Sequence, residues 1–172
     1  MKSAYITLFS FIVLMGLSTI AQGQEDKSKR PSPPAEIRGT IDSTDIAIYY
    51  SSPAVKGRLI WGELVPYGKV WRTGANEATV FETSKELKVD GKTLAPGKYG
   101  LFTIPGEKEW TIILNSVWDQ WGAFKYDNSK DVLRFTVPVQ KSTKFNERLK
   151  FDIVSNDVIL YWENLMVRFE VN

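Results

Sequence analysis

Alternation between apolar and polar side chains is the feature of this sequence that most limits how it can fold. Leu149, Phe151 and Ile153 are each separated by one charged residue, and segments with the same period of two recur throughout residues 35–172. Successive side chains of a strand point to opposite faces of its sheet, so this period indicates β-strands with one buried face. The same residues contain no stretch that combines a long helical period with capping residues. We therefore predict an all-β domain.

Turn signals separate these segments. Asp90-Gly91 suits a two-residue hairpin turn with positive φ at both positions, and further turn signals are Pro96-Gly97, Pro105-Gly106 and Glu163-Asn164. Pro138 has no N–H to donate, so its strand is expected to lie at a sheet edge or to carry a bulge. Short strands with regular turns indicate an antiparallel sandwich or barrel. We predict a single antiparallel β-sandwich, jelly-roll-like, over residues 35–172, and leave its strand order open.

The N-terminus has the pattern of an export signal. Lys2 precedes an uncharged apolar run over residues 4–20, and the small residues Ala21 and Gly23 follow. This pattern predicts a secretory signal peptide over residues 1–23, whereas the alternative is an uncleaved membrane anchor. We expect cleavage, no membrane span afterwards, and a periplasmic or secreted protein. Residues 24–34 are polar and proline-rich, which predicts a disordered tether.

Composition excludes several classes of function. The chain has neither histidine nor cysteine, so disulfides, histidine-based catalysis and histidine or cysteine zinc sites are all excluded. Any catalysis must use carboxylates, Lys, Tyr, Arg or an oxygen-bound metal. The net charge is only +2, which gives no support for nucleic acid or an anionic membrane as a partner. We predict no cofactor and no metal, and the sequence does not indicate an oligomeric state.

Two long connections, residues 51–78 and 116–131, interrupt the pattern of strands. Four of the six tryptophans lie in them: Trp61, Trp71, Trp118 and Trp121. Loops of this length are often functional in a compact domain, and exposed tryptophans can stack on sugar rings or apolar ligands. The alternative is that these loops fold back and their rings close the ends of the sandwich. We expect the two loops to meet and form a ligand-binding site.

The segment that follows Trp71 carries the polar groups of this candidate site. Arg72 offers a planar fork of donors that fits a carboxylate, a phosphate or vicinal hydroxyls. Trp71 and Trp121 would stack on the ligand, while Asn76 and Glu77 would orient it. The alternative for Arg72 is an internal salt bridge with Glu77 or Glu63. The predicted ligand-binding residues are Arg58, Trp61, Trp71, Arg72, Asn76, Glu77, Trp121 and Tyr126.

The site suits binding better than turnover, and we assign no catalytic residue. A carbohydrate or a cell-envelope glycan best matches aromatic rings combined with a fork of donors. One alternative is a carboxylate-based, glycosidase-like hydrolase that uses Glu77 or Glu63, which would need two facing carboxyl groups. A second alternative is a structural or assembly protein of the cell envelope, in which the aromatic loops pack against a partner.

The motifs of the first long loop resemble those of a family of exported bacterial proteins known as domain of unknown function 2911. They are Ser51-x-Pro53-x-x-Lys56-Gly57-Arg58, Ile60-Trp61-Gly62, Leu64-Val65-Pro66-Tyr67-Gly68 and Trp71-Arg72-Thr73-Gly74-Ala75-Asn76-Glu77-Ala78-Thr79. Later parts of the resemblance are Pro96-Gly97-x-Tyr99-x-Leu101-Phe102-x-Ile104-Pro105, Gln120-Trp121-Gly122-Ala123 and Asp131-x-x-Arg134. The resemblance covers nearly all of the domain. It implies an exported bacterial protein, and it supplies neither an activity nor a catalytic residue.

Overall fold

A computed structural model of the chain describes residues 26–172, so the predicted signal peptide lies outside the described residues. Strands make up most of the described chain, and its helical elements are two single 3-10 turns at Lys27–Lys29 and Asn128–Lys130. The strands are β1 (Pro34–Ile41), β2 (Thr44–Ser51), β3 (Thr79–Thr83), β4 (Leu87–Val89), β5 (Lys92–Leu94), β6 (Gly97–Ile104), β7 (Glu109–Asn115), β8 (Asp131–Pro138), β9 (Gln140–Val154) and β10 (Asp157–Glu170). The all-β prediction is confirmed. Within residues 26–172, no helix has the length and apolar character needed to cross a membrane.

The strands form a sandwich with one large and one small layer. Six of them make an antiparallel sheet in the order β1-β2-β3-β6-β7-β8, which follows the order of the chain apart from the excursion through β4 and β5. The long hairpin β9–β10 forms the second layer, because β9 contacts β1 and β10 contacts β8. The short hairpin β4–β5 is joined to the end of β10 by a bridge between Val89 and Val171. The predicted antiparallel β-sandwich is therefore confirmed.

Most of the predicted turns are confirmed. Asp90 and Gly91 have φ of 50° and 74° and join β4 to β5. Pro138 ends β8, which is an edge strand of the six-stranded sheet, as a residue without an N–H requires. The predicted turn at Glu163-Asn164 is wrong. Strand β10 runs through these residues, and the positive φ of Glu163 (56°) occurs at a shift in the β9–β10 register, which is a β-bulge.

Four tryptophan rings form the centre of the core between the two layers. Trp110 comes from β7 and Trp162 from β10, whereas Trp61 and Trp71 come from the first long loop. The rings of Trp71 and Trp162 are stacked at 5.9 Å with an interplanar angle of 16°, and Trp61 packs edge-on against the other three at 5.0 to 6.1 Å. Each such pair contributes about 0.5–1.5 kcal/mol beyond the burial of its area. The first loop is therefore anchored inside the sandwich.

This packing predicts a large effect of removing one ring. Trp110 is 0% exposed, so Trp110→Ala is expected to lower the free energy of unfolding by about 3–5 kcal/mol, as measured by urea denaturation. Phe124 is 86% exposed, so Phe124→Ala is a matched aromatic control and should change stability by no more than about 0.5 kcal/mol. A loss below about 1 kcal/mol for Trp110→Ala would contradict the central role of the tryptophan cluster.

Candidate functional site

The two long loops meet, as the sequence predicted. The backbone N–H of Ala78 donates to the carbonyl of Gln120 at 2.9 Å, and that of Gly122 donates to the carbonyl of Asn76 at 3.0 Å. Glu77 and Trp121 form an antiparallel bridge between these two bonds. The loops thus share a short ladder, which fixes their backbones relative to one another.

A hollow of about 300 Å³ opens beside this ladder, and we call it the arginine hollow. Its polar lining residues are Ser32, Arg58, Arg72 and Asn76, and its aromatic lining residues are Trp71 and Trp162. The described residues that line it include no aspartate or glutamate. Two cations without an acid give this hollow a positive potential, which favours an anionic ligand.

Arg72 is half-buried and has no side-chain partner among residues 26–172. No carboxylate lies within salt-bridge distance of its guanidinium, and its Nε is buried without a hydrogen bond. Burial lowers the pKa of Arg72 below its ordinary value, but an arginine with so high an ordinary pKa still carries its charge near neutral pH. The internal salt bridge considered for Arg72 is therefore not formed.

The loop around Arg72 is held rigidly. Trp71 exchanges two backbone hydrogen bonds with Thr103 of β6, at 2.7 and 2.9 Å. Thr73 is buried at a φ of 55°, an unusual conformation for a β-branched residue, and its hydroxyl donates to that of Thr103 at 3.2 Å. Such strain costs roughly 1–3 kcal/mol and often occurs at binding sites. The hydrogen bonds of Trp71 and Thr73 therefore fix the backbone on both sides of Arg72.

Arg58 and Asn76 are oriented by bonds to the backbone and to nearby hydroxyls. The Arg58 guanidinium donates to the carbonyls of Val55 and Ala54 in its own loop. Asn76 has a φ of 57°, which asparagine tolerates, and its amide donates to the carbonyl of Ser32 at 3.0 Å and to the Ser51 hydroxyl at 3.2 Å. The predicted residues Arg58, Arg72 and Asn76 are therefore brought together in one hollow.

The predicted tryptophans have different positions. Trp71 is only 9% exposed, and its indole N–H donates to the carbonyl of Gly74 at 3.0 Å, so its ring faces are not open to a ligand. Trp61 packs in the same tryptophan cluster. A stacking role for Trp71 does not fit this burial, because its ring fills the core, and Trp61 is partly buried against the same core. Trp121 is 57% exposed, and the Arg30 guanidinium lies 5.8 Å from its ring centroid.

Tyr126 is also separate from the arginine hollow. Its ring packs edge-on against Phe102 at 5.1 Å, and its hydroxyl donates to Asp131 at 2.7 Å and accepts from Arg134 at 2.9 Å. Burial, together with the hydrogen bond to Asp131, raises the pKa of Tyr126 to about 12. Tyr126 therefore braces the second loop and does not line the hollow.

Glu77 holds the N-terminal segment, residues 26–33, against the domain. Its carboxylate accepts from Lys27 at 2.8 Å and from Arg30 at 3.0 Å. Burial alone would raise the pKa of Glu77, but the hydrogen bonds from Lys27, its own backbone N–H and Arg30 outweigh burial and lower the pKa to about 2. The cations of this segment thus meet a carboxylate that lies 47 and 50 residues away in the sequence.

A second hollow has a volume of about 470 Å³, and we call it the sheet groove. Its lining includes Tyr49, Glu77, Val80 and Trp118. Glu63 is exposed and lines neither hollow. Glu77 is ionised and paired, whereas a glycosidase needs one acid with a raised pKa, so the geometry gives no specific support to the hydrolase alternative.

Sequence reasoning missed the contribution of the N-terminal segment and of the outer sheet face. Lys27 and Ser32 each line one of the two hollows, but both lie in a segment that has the composition of a linker. Tyr49 lies in the regular strand β2, and Trp118 is one of the four loop tryptophans but not among the predicted ligand-binding residues. The outward position of Tyr49 in the alternating strand was the one signal that could have marked it as a surface residue.

The comparisons with known proteins agree with the resemblance seen in the sequence. A family model described as "Protein of unknown function (DUF2911)" matches residues 32–171, which is nearly the whole described domain. The chain therefore belongs to this family. Searches of curated proteins and of solved structures found no match.

The clamp at Glu77 predicts a change in the dynamics of the N-terminal segment. Glu77→Gln is expected to speed amide hydrogen exchange in residues 27–32 by about 3- to 10-fold, because the charge-assisted bonds from Lys27 and Arg30 are weakened. Glu63→Gln makes the same chemical change at an exposed residue and should leave these rates unaltered. Equal exchange in the two variants would show that Glu77 does not hold the segment.

The same clamp predicts a pH dependence. The pKa of Glu77 in the folded protein is about 2, below its ordinary value of 4.5. A depressed carboxyl pKa stabilises the folded contact above the ordinary value, and this stabilisation is lost as the pH falls through the folded pKa. Amide NMR signals of Lys27 to Arg30 should therefore stay constant from about pH 8 to 5 and shift towards unstructured values between about pH 4.5 and 2. Release of the segment above about pH 5 would contradict this assignment.

Proposed function

We propose that this member of the DUF2911 family is an exported binding protein whose arginine hollow holds the acidic group of a glycan. The observation that carries the proposal is the half-buried Arg72, which lines the hollow without a carboxylate partner among residues 26–172. Export is inferred from the signal-peptide pattern of residues 1–23.

The energetics of Arg72 favour a missing anion over a purely structural role. Removing a cation from water is unfavourable unless it is paired, and structural arginines in partly buried positions usually have an acidic partner. Here the nearby Glu77 is occupied by Lys27 and Arg30. A ligand carboxylate, sulfate or phosphate would supply the anionic partner that Arg72 lacks among residues 26–172.

The shape and chemistry of the hollow suit an acidic sugar. Its volume of about 300 Å³ is at the lower end of the range for small-molecule sites, which matches one charged sugar unit better than a large cofactor. Arg72 can bind a carboxylate through two parallel hydrogen bonds. Ser32 and Asn76 add polar groups to the lining, and these could contact ring hydroxyls. The half-exposed Trp121 is next in the ladder to Asn76 and offers a surface for a neighbouring sugar unit.

A second candidate, assembly with a protein of the cell envelope, has one observation in its favour. Phe124 is 86% exposed and Trp121 is 57% exposed in the second loop. Such rings are often found at protein interfaces. If assembly is the function, Phe124→Ser should weaken capture of a partner from envelope extracts while leaving glycan binding intact.

The proposal is tested by titration calorimetry with matched acidic and neutral oligosaccharides. We expect oligogalacturonate, oligoglucuronate or sulfated glycans to bind the wild-type protein more tightly than their uncharged counterparts. Arg72→Gln should weaken acidic-glycan binding by about 10- to 100-fold, because hydrogen bonds to a charged group contribute about 1.5–3 kcal/mol. Arg72→Lys should restore only part of the loss, because lysine keeps the charge but lacks the planar fork.

The matched control is Arg168→Gln, which removes the same charge from an exposed arginine of β10 that is paired with Asp157. It should leave glycan affinity unchanged. Failure of every acidic glycan to bind, or equal affinity for the wild-type and Arg72→Gln proteins, would overturn the proposal.

A further inference from the structure

The sheet groove is a second built cavity, and its chemistry differs from that of the arginine hollow. Its floor is a cross-strand row on the outer face of the six-stranded sheet, formed by Glu36 of β1, Tyr49 of β2 and Val80 of β3, which are directly opposite one another. Residues 118–120 of the second loop line one part of the groove, and Lys27 of the N-terminal segment lines another.

A glycine allows the second loop to lie on this sheet face. Gly100 of β6 is the next member of the same cross-strand row, opposite Val80. A Cβ at Gly100 would lie 3.0 Å from the carbonyl oxygen of Val117 and 2.7 Å from the Phe102 ring. Any larger residue would therefore displace the loop that carries Trp118. The groove depends on this close approach.

The aromatic rings of the groove are held in place by cations of the protein. The Nζ atom of Lys98 lies 5.8 Å from the ring centroid of Tyr49 and 5.3 Å from that of Trp118. The Tyr49 hydroxyl accepts from Arg38 at 2.8 Å and donates to Glu82 at 3.0 Å. Because these rings are already ordered, a ligand that packs on them has less side-chain entropy to overcome.

The charges of the groove are largely balanced within the protein. Glu36 pairs with Arg38, and Glu77 pairs with Lys27 and Arg30. Of the carboxylates that line the groove, Asp119 is the one without an ion pair among residues 26–172, and it is exposed at the rim. Charge therefore selects neither a strong anion nor a strong cation here.

We propose that the sheet groove is a binding site for the uncharged rings of an oligosaccharide. The side chain of Val80, with the exposed part of Trp118, would contact the C–H faces of the sugar. The exposed carboxylate of Asp119 would receive a hydroxyl group at the edge of the groove. Its volume of about 470 Å³ is in the range of small-molecule sites. This inference does not require that the arginine hollow bind a ligand.

The test is calorimetric and NMR titration of the full mature protein with neutral probes: cellohexaose, xylohexaose, chitohexaose and maltohexaose. At least one is expected to bind saturably and to shift the indole N–H signal of Trp118, leaving the backbone amides of residues 73–75 unperturbed. Trp118→Ala should weaken that binding by about 10-fold or more, because the ring contact and its buried area are lost together.

Two further variants distinguish a loss of binding from a loss of folding. Val80→Phe fills the floor of the groove from an outward-facing strand position and should also reduce binding, whereas Phe124→Ala changes an aromatic residue of the same loop outside the groove and should not. Unfolding midpoints are compared for all three variants. The inference is overturned if none of the four probes binds, if Trp118→Ala and Val80→Phe both bind like the wild type, or if the NMR shifts fall on residues 73–75. Binding of acidic glycans alone would leave the proposed function standing and refute only the groove.

Discussion

Packing of the four tryptophan rings is the interaction on which the core and the arginine hollow depend. Two of the rings belong to the sandwich and two to a loop without regular structure, so the core is completed by the loop itself. Once Trp61 and Trp71 are buried, the residues that follow have little freedom, and Arg72 is carried to one fixed position beside Trp162. The hydrophobic effect thus positions a charged group whose own burial is unfavourable.

The distribution of charge explains why two adjacent hollows differ in chemistry. Glu77 and Asn76 are neighbours in sequence, yet one lines the sheet groove and the other the arginine hollow. The N-terminal segment brings its cations to Glu77 and its Ser32 carbonyl to Asn76. At the sheet groove, Glu77 is consequently paired with Lys27 and Arg30. In the arginine hollow, Arg58 donates to backbone carbonyls and Arg72 has no carboxylate partner among residues 26–172.

Sequence periodicity predicted the sandwich and both long loops. A half-buried strand must alternate apolar and polar side chains, whereas a loop has no such requirement. The same reasoning failed at Glu163, where a bulge keeps one strand continuous through residues that usually make turns. Within the candidate site, Arg58, Arg72 and Asn76 line one hollow, since they lie in one loop. The burial of Trp71 and the pairing of Glu77 with Lys27 could not be foreseen, because both arise from contacts between residues far apart in the chain.

The path of residues 26–33 has a practical consequence for how the protein should be handled. These residues contribute Lys27 to one hollow and Ser32 to the other, so the chain enters the domain directly between the two mouths. An affinity tag or a surface linkage fused just ahead of Asp26 would crowd the sheet groove, which Lys27 lines. Immobilisation through Asn172, which follows the last strand beside the β4–β5 hairpin, avoids this obstruction.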